Sequence, residues 1–248
     1  MRLLHNSGTE KNKMKSIAFF LCLFITYQSQ AMGLRSFVAL PINTGGGVIR
    51  FLNDYNFNTN TDIFVSAAAY GISPSQSLFF ALPSRLNPSG ANRFGDFSAL
   101  YRHTIMQNDN ANGTNRLALL GGFVIPTNSN RDAAAQAGFV FTRFHNRYEI
   151  DVDALYQKGF DNRLDSGRYD ISWQYRINPL VLPDWGIGNQ VFTVLELNGR
   201  WQQGNSTSQQ LTAGLTWAKA KYVIEGGFVK ELNHNEDTHF VLSTRFHF

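Results

Sequence analysis

His239-Phe240-Val241-Leu242-Ser243-Thr244-Arg245-Phe246-His247-Phe248 closes the chain. Phe240, Leu242, Thr244, Phe246 and Phe248 fall on one side of an extended backbone, and His239, Val241, Ser243, Arg245 and His247 on the other. A period of two is the mark of a strand with two unlike faces. Chain ends fray into water unless something ties them down, and two phenylalanines in the last three residues make a poor free tail. The terminus therefore predicts a strand whose apolar face meets something other than water.

The opposite end carries an address. Arg2, Lys11, Lys13 and Lys15 precede an apolar run over residues 17–26, IAFFLCLFIT, and Ser29 and Ala31 fit a small-residue cleavage site after Ala31. This pattern predicts a secretory signal peptide over residues 1–31, with Met1 or Met14 as the start. The run is shorter than the roughly 20 residues that a membrane-spanning helix needs. The only cysteine, Cys22, lies in this leader and lacks a lipoprotein context, so the exported chain has no thiol and no disulfide.

Removing the leader changes the charge argument. The 22 basic residues fall by four and the 18 acidic residues by one, leaving 18 against 17. The pI near 9.2 thus comes largely from the leader. A net charge of +1 gives no footprint for nucleic acid, and no glycine-rich phosphate loop is present. Charged residues make up 16% of the chain, against about 25% in soluble domains. Aromatics reach 14%, with 21 Phe, yet mean hydropathy is slightly negative. Lipid-facing apolar residues alternating with polar lumen residues produce that combination. In lipid only helices and closed barrels satisfy their backbones.

The prediction is an all-β fold: one transmembrane antiparallel up-and-down barrel of about twelve strands over residues 32–248, in the cell outer membrane. The clearest strands are 147–157 and 168–177. In the first, Tyr148, Ile150, Val152, Ala154 and Tyr156 oppose Arg147, Glu149, Asp151, Asp153 and Gln157. In the second, Tyr169, Ile171, Trp173, Tyr175 and Ile177 oppose Arg168, Asp170, Ser172, Gln174 and Arg176. Others are expected at 49–57, 62–71, 76–82, 96–106, 116–125, 134–144, 191–201, 211–219, 222–229 and 239–248, with 34–40 as a possible addition. With a periplasmic N-terminus the odd connections face outside. The connection 178–190 is then long for a periplasmic turn.

A terminal Phe preceded by apolar residues at every second position resembles the closing strand of bacterial outer-membrane barrels, which the barrel-assembly machinery recognises. Phe240, Leu242, Phe246 and Phe248 would carry that signal. Further motifs occur in order: Tyr70-Gly71-Ile72-Ser73, Phe79-Phe80-Ala81-Leu82-Pro83, Arg93-Phe94-Gly95-Asp96 and Gly121-Gly122-Phe123-Val124-Ile125-Pro126-Thr127. Over residues 48–178 the chain resembles the outer-membrane family named for the meta-pathway of phenol degradation. Its members share a strand ending Tyr-Gly, a Leu-Pro strand end, Gly-Asp before a strand and a strand ending Pro-Thr-Gly. Asn128 stands here where that last Gly is expected. The resemblance implies a channel for hydrophobic or aromatic compounds.

The polar residues frame the functional alternatives. Arg102, Glu149, Asp151, Asp153, Arg168, Asp170, Gln174, Arg176, Glu196 and Arg200 are the candidate lumen residues. The acids of 149–153 read either as part of a sealing ion-pair network or as a charged constriction. Ala118, Leu120, Gly122 and Val124 offer an apolar wall suited to a lipophilic solute or to a packed plug. Gly95-Asp96 reads as a turn device. A hydrolase would need a Ser–His pair, but Ser243 lies four residues from both His239 and His247, about 13 Å by strand rise. No catalytic, metal or cofactor site is expected. The expected function is a channel for small molecules, aromatic or lipophilic ones among them. The alternatives are a plugged structural or surface-interaction barrel and a lipid-modifying enzyme. Expected partners are outer-membrane lipid, the assembly machinery and a small-molecule solute, with a monomeric barrel and no nucleic acid.

Overall fold

The computed structural model describes residues 34–90, 92–178, 189–233 and 237–248. The leader, residues 179–188 of the long connection and His234-Asn235 lie outside the described residues. Among those described, twelve strands form: β1 Gly47–Asn56, β2 Thr61–Ser73, β3 Gln76–Asn87, β4 Phe97–Asn110, β5 Gly113–Ile125, β6 Ala134–His145, β7 Tyr148–Gly159, β8 Ser166–Arg176, β9 Gln190–Gln202, β10 Ser208–Ala218, β11 Tyr222–Glu231 and β12 Thr238–His247. Each strand pairs antiparallel with its sequence neighbour, and β1 pairs with β12, so the sheet closes into an up-and-down barrel. Closure gives every strand a partner on both sides, although β3 and β4 pair only from Gln76–His103 to Ala81–Ser98.

Of the five connections at the end bearing Phe248, those at 74–75, 111–112, 146–147 and 219–221 are two or three residues long, and only 177–189 is long. Those at the other end are longer, reaching from 88 to 96 and from 126 to 133. That asymmetry marks the first end as periplasmic and the second as outer.

Two strands run further than the alternation suggests. β3 continues through Pro83 to Asn87, because this half pairs with β2 while the loop residues 93–95 cover its other edge. Proline is tolerated there since that position donates no hydrogen bond. β4 continues to Asn110 on polar residues, paired with β5 up to the Asn110–Gly113 turn. Asp96 precedes β4 instead of opening it.

The outer surface is apolar. Phe51, Leu119, Phe123, Ile171, Leu195, Leu215, Phe228 and Leu242 are each more than a third exposed. Toward the periplasmic end stand Tyr70, Tyr148, Trp173, Trp217 and Phe246, and toward the outer end Tyr156, Trp201 and Phe228. A continuous apolar surface of this kind belongs in lipid, with aromatic rings at both interfaces.

The facing of β7 makes a quantitative contrast. Val152 points outward, whereas Asp151 is wholly buried and accepts the Thr142 hydroxyl at 2.6 Å and Gln174 Nε2 at 3.1 Å. Val152→Arg should destabilise the folded barrel by about 2–4 kcal/mol, the cost of a cation near the bilayer midplane. Asp151→Asn should cost less than about 1 kcal/mol, since the amide oxygen still accepts from Thr142 and the Gln174 amide can turn to accept from it. Urea unfolding in lipid vesicles checks the pair, and equal losses would reverse the facing assignment.

Residues 34–40 do not join the wall. From β1 the chain turns at Gly45, with φ of 76°, and runs back inside the barrel. Leu34, Ser36, Val38, Ala39 and Leu40 are all buried. Each fully buried aliphatic side chain contributes about 1.5–3 kcal/mol, so this segment is a packed part of the fold.

Candidate functional site: a lumen filled by the N-terminal segment

The lumen has two unlike walls. On β2 to β6 it is mainly apolar: Phe79, Leu100, Ala118, Leu120 and Val140 pack with Leu155 around Ala39, and Phe37 rests on that cluster. The face expected at 118–124 is therefore a plug contact, which explains why β5 is apolar on both sides. On β7 to β12 the lumen wall is largely polar. Glu149, Asp151, Asp153, Asp170, Ser172, Gln174, Glu196, Asn198, Thr212, Glu225 and Arg245 are all buried there.

Segment 34–46 lies between these walls and bonds to both. Arg50 donates to the Leu34 carbonyl at 2.5 Å. The Leu34 side chain fits against Gly214 and Gly227, where a Cβ would stand only 2.6 and 2.8 Å from its Cδ1. Arg35 donates from its backbone to Glu196 at 3.0 Å and from its guanidinium to Gln210 at 2.5 Å and Asp54 at 3.1 Å. The Ser36 hydroxyl reaches Glu196 at 3.1 Å. Phe37 N–H donates to Asp153 at 2.8 Å, and its ring lies 4.4 Å below the Arg168 guanidinium and 6.0 Å from Phe79. Arg102 donates to the Val38 carbonyl at 2.6 Å, and Ala39 N–H to Thr142 at 2.8 Å. Near the periplasmic rim, Gly71 exchanges backbone hydrogen bonds with Gly45 and Gly46. A Cβ on Gly71 would meet the Asn43 carbonyl at 2.2 Å, so only glycine lets the segment pass there.

Of the residues singled out in the sequence, Arg102, Glu149, Asp151, Asp153, Asp170, Gln174 and Glu196 are buried inside the barrel, whereas the Arg168 and Arg200 side chains remain about a quarter exposed. Asp170 is held by Arg168 at 3.0 Å and Arg200 at 2.8 Å, and Arg168 also lies 3.6 Å from Asp153. Glu149 is buried beside Asp151, and its Oε1 has no hydrogen-bond partner among the described residues. Arg176 departs from the expectation that placed it beside the acids: it sits at the rim and donates to the Asn146 carbonyl at 3.0 Å. A second cluster joins Glu225 to Arg245 and, at 3.2 Å, to Arg50. His239 contacts Asp54 at 2.8 Å while Ser243 accepts from Arg50 at 2.8 Å, so this serine and histidine are engaged with other partners. Among the described residues no group of three or more His, Cys, Asp or Glu side chains is placed to hold a metal ion.

Sequence reasoning missed Arg35, Phe37, Asp54, Thr142 and Gln210. The one available signal was the run Thr44-Gly45-Gly46-Gly47 before β1, which permits a reversal.

Three of the four family-like motifs meet at the outer end. Gly95 N–H donates to the Pro83 carbonyl at 2.8 Å, and the Thr127 hydroxyl to the Gly95 carbonyl at 2.9 Å. Asp96 accepts Arg131 at 2.9 Å and Arg163 at 2.6 Å, tying three outer loops together. The turn-device reading of Gly95-Asp96 is thus corrected. Gly95 does not have a positive φ; it is small because a Cβ would lie 2.5 Å from the Pro83 ring. Asn128 donates to Asn92 at 2.7 Å. A cleft of 370 Å³ opens on this latch.

Burial pushes the Asp96 carboxyl up, but the hydrogen bonds from Arg131 and Arg163 outweigh it and hold the group below its ordinary 3.8. A depressed pKa means that the latch is at full strength above pH 3.8 and weakens as pH falls through the lower folded value. Amide exchange in 88–96 and 126–133 should therefore accelerate in acid, and Asp96→Asn should give the fast exchange already at neutral pH. Equal exchange in both proteins at neutral pH would remove the latch.

No family model matches the chain, and none of the curated proteins does. Among solved structures, the barrel is similar to an outer membrane channel from Pseudomonas putida F1, with TM-score 0.54 and 14% identity over 88% of this chain and 100% of that one. It is also similar to the KdgM porin in complex with disordered oligogalacturonate, with TM-score 0.51 and 8% identity over 80% of this chain and 98% of that one. At such identities the similarity is one of fold: the chain has the architecture of an outer-membrane β-barrel.

Proposed function

We propose that this protein is an outer-membrane channel for small molecules, aromatic or lipophilic ones among them, whose pathway is closed by its own N-terminal segment. The observation that carries the reading is segment 34–46, a terminal stretch that fills the lumen without being a strand of the wall. A terminal stretch joined to the wall through a Gly-rich turn can leave while the barrel stays closed on itself. One apolar wall facing one polar wall suits solutes with a ring and a polar group. The family resemblance over residues 48–178 points to the same solute class. Residues 1–31 serve as the export signal, and the Phe240–Phe248 face as the assembly signal.

A permanently sealed structural barrel is the second reading, favoured by the complete burial of Glu149, Asp151, Asp153 and Asp170. Flux separates the two. Proteoliposomes carrying the wild-type protein should release tyrosine, and other small aromatic solutes that cross bare lipid slowly, faster than empty vesicles, and should release them faster still when residues 34–42 are removed. A barrel that stays impermeable to every small solute after that removal is structural.

A further inference from the structure

We propose that Arg35 and Phe37 occupy a lumen subsite for a small organic cation bearing an aromatic ring, and that such a cation competes with the segment for it. This rests on the reading of the segment as a removable closure.

The subsite is defined by what the segment leaves behind. Without Arg35, Asp54 retains His239 and Glu196 loses two donors, the Arg35 N–H and the Ser36 hydroxyl. Asp153 Oδ2 loses the Phe37 N–H. Asp153 Oδ1 already lacks a hydrogen bond among the described residues, although Asp153 is fully buried. Around the vacated volume, Asp54, Asp153, Asp170 and Glu196 face Arg168 and Arg200. Four carboxylates against two guanidiniums leave room for a cation, and buried carboxylates left without donors are costly. A neutral solute replaces none of the lost charge, and a carboxylate adds to the excess.

The ring position is equally specified. Phe79 presents an edge to the Phe37 ring at an interplanar angle of 67° while Arg168 covers its face, so the slot accepts a flat aromatic group in cation–π contact. Arg35 and Phe37 are two residues apart, so their side chains leave the extended backbone on the same side, from Cα atoms about 7 Å apart. The resident segment is itself a guanidinium next to a phenyl ring. Its chemistry shows what the cavity complements, independently of any relative.

The test uses Val38→Cys, the sole thiol of the exported chain. Val38 is 3% exposed and its side chain touches none of the subsite carboxylates in a hydrogen bond, so maleimide labelling of the detergent-solubilised barrel should be slow. Benzylguanidinium should accelerate labelling about tenfold once it saturates the open form. Phenylacetate and benzyl alcohol at equal concentration should not. Acceleration by all three alike, or by none, overturns the cation subsite and leaves the closure reading intact. Rapid labelling without any solute overturns both. Calorimetry on the protein lacking residues 34–42 supplies a reading free of the cysteine: benzylguanidinium should bind one to one and phenylacetate should not. Absence of that binding overturns the subsite.

Discussion

Deleting Phe248 alone should remove most of the assembled protein from the outer membrane of cells while leaving its folding in vitro nearly unchanged. Phe248 exchanges two backbone hydrogen bonds with Gly47, at 2.8 and 3.0 Å, and its ring lies over that glycine, 75% exposed. Two such bonds stabilise by about 1 kcal/mol each, too little to unfold a barrel whose remaining β1–β12 ladder runs from Val48–His247 to Asn56–His239. A large loss in cells therefore reports failed recognition of the closing strand, not instability. Heat-modifiable migration measures both sides: the band should vanish from membranes yet persist in protein refolded into vesicles. Unchanged levels in membranes would remove the assembly role from this residue.

Arg35→Glu should loosen the closing segment. The substitution exchanges a cation between Asp54 and Glu196 for a third carboxylate. Breaking a buried ion pair costs about 3–5 kcal/mol, and the 13–18% exposure of this pair puts it at the low end. A loss of about 3 kcal/mol is about a hundredfold in the ratio of docked to undocked segment. Hydrogen exchange at the Phe37 and Ala39 amides, which donate to Asp153 and Thr142, reads it directly. Both amides should exchange about a hundredfold faster, with amides of β7 and β9 unchanged. Exchange unaltered at both positions would mean that Arg35 does not hold the segment.

Much of the fold was legible because a barrel wall in lipid obeys one rule. β7, β8 and β12 alternate with few exceptions, Leu155 and Val241 among them: Tyr148–Tyr156 against Glu149–Asp153, Ile171 and Trp173 against Asp170 and Ser172, Phe240–Phe246 against Val241–Arg245. Their facing and pairing follow from period two alone. β3 and β5 were harder because their inner faces are also apolar, and alternation vanishes when both faces are hydrophobic. The reason became visible only with the segment in place, since Phe79, Ala118 and Leu120 meet it and not water. Residues 34–40 have strand-like periodicity but no lipid-compatible face. Arg35 cannot point into the bilayer, and its partners Asp54 and Gln210 lie 19 and 175 residues away, so the contacts carry no local signature. Of the motifs at 83, 95–96 and 126–127, only Gly95-Asp96 carried a local reading, as a turn device. They are one assembly in space, joined across loops that sequence spacing does not relate.

If residues 34–46 close a pathway through the barrel, their removal must open it. Planar-bilayer conductance of the purified protein, with and without residues 34–42, addresses this most directly. The full-length barrel should be shut for most of the recording, with brief openings, and the shortened barrel should give stable ohmic steps. Its selectivity should be cationic, because Asp54, Asp153 and Glu196 then lose donors supplied by the segment. A shortened barrel that remains folded by its heat-modifiable migration and yet never conducts would contradict the claim.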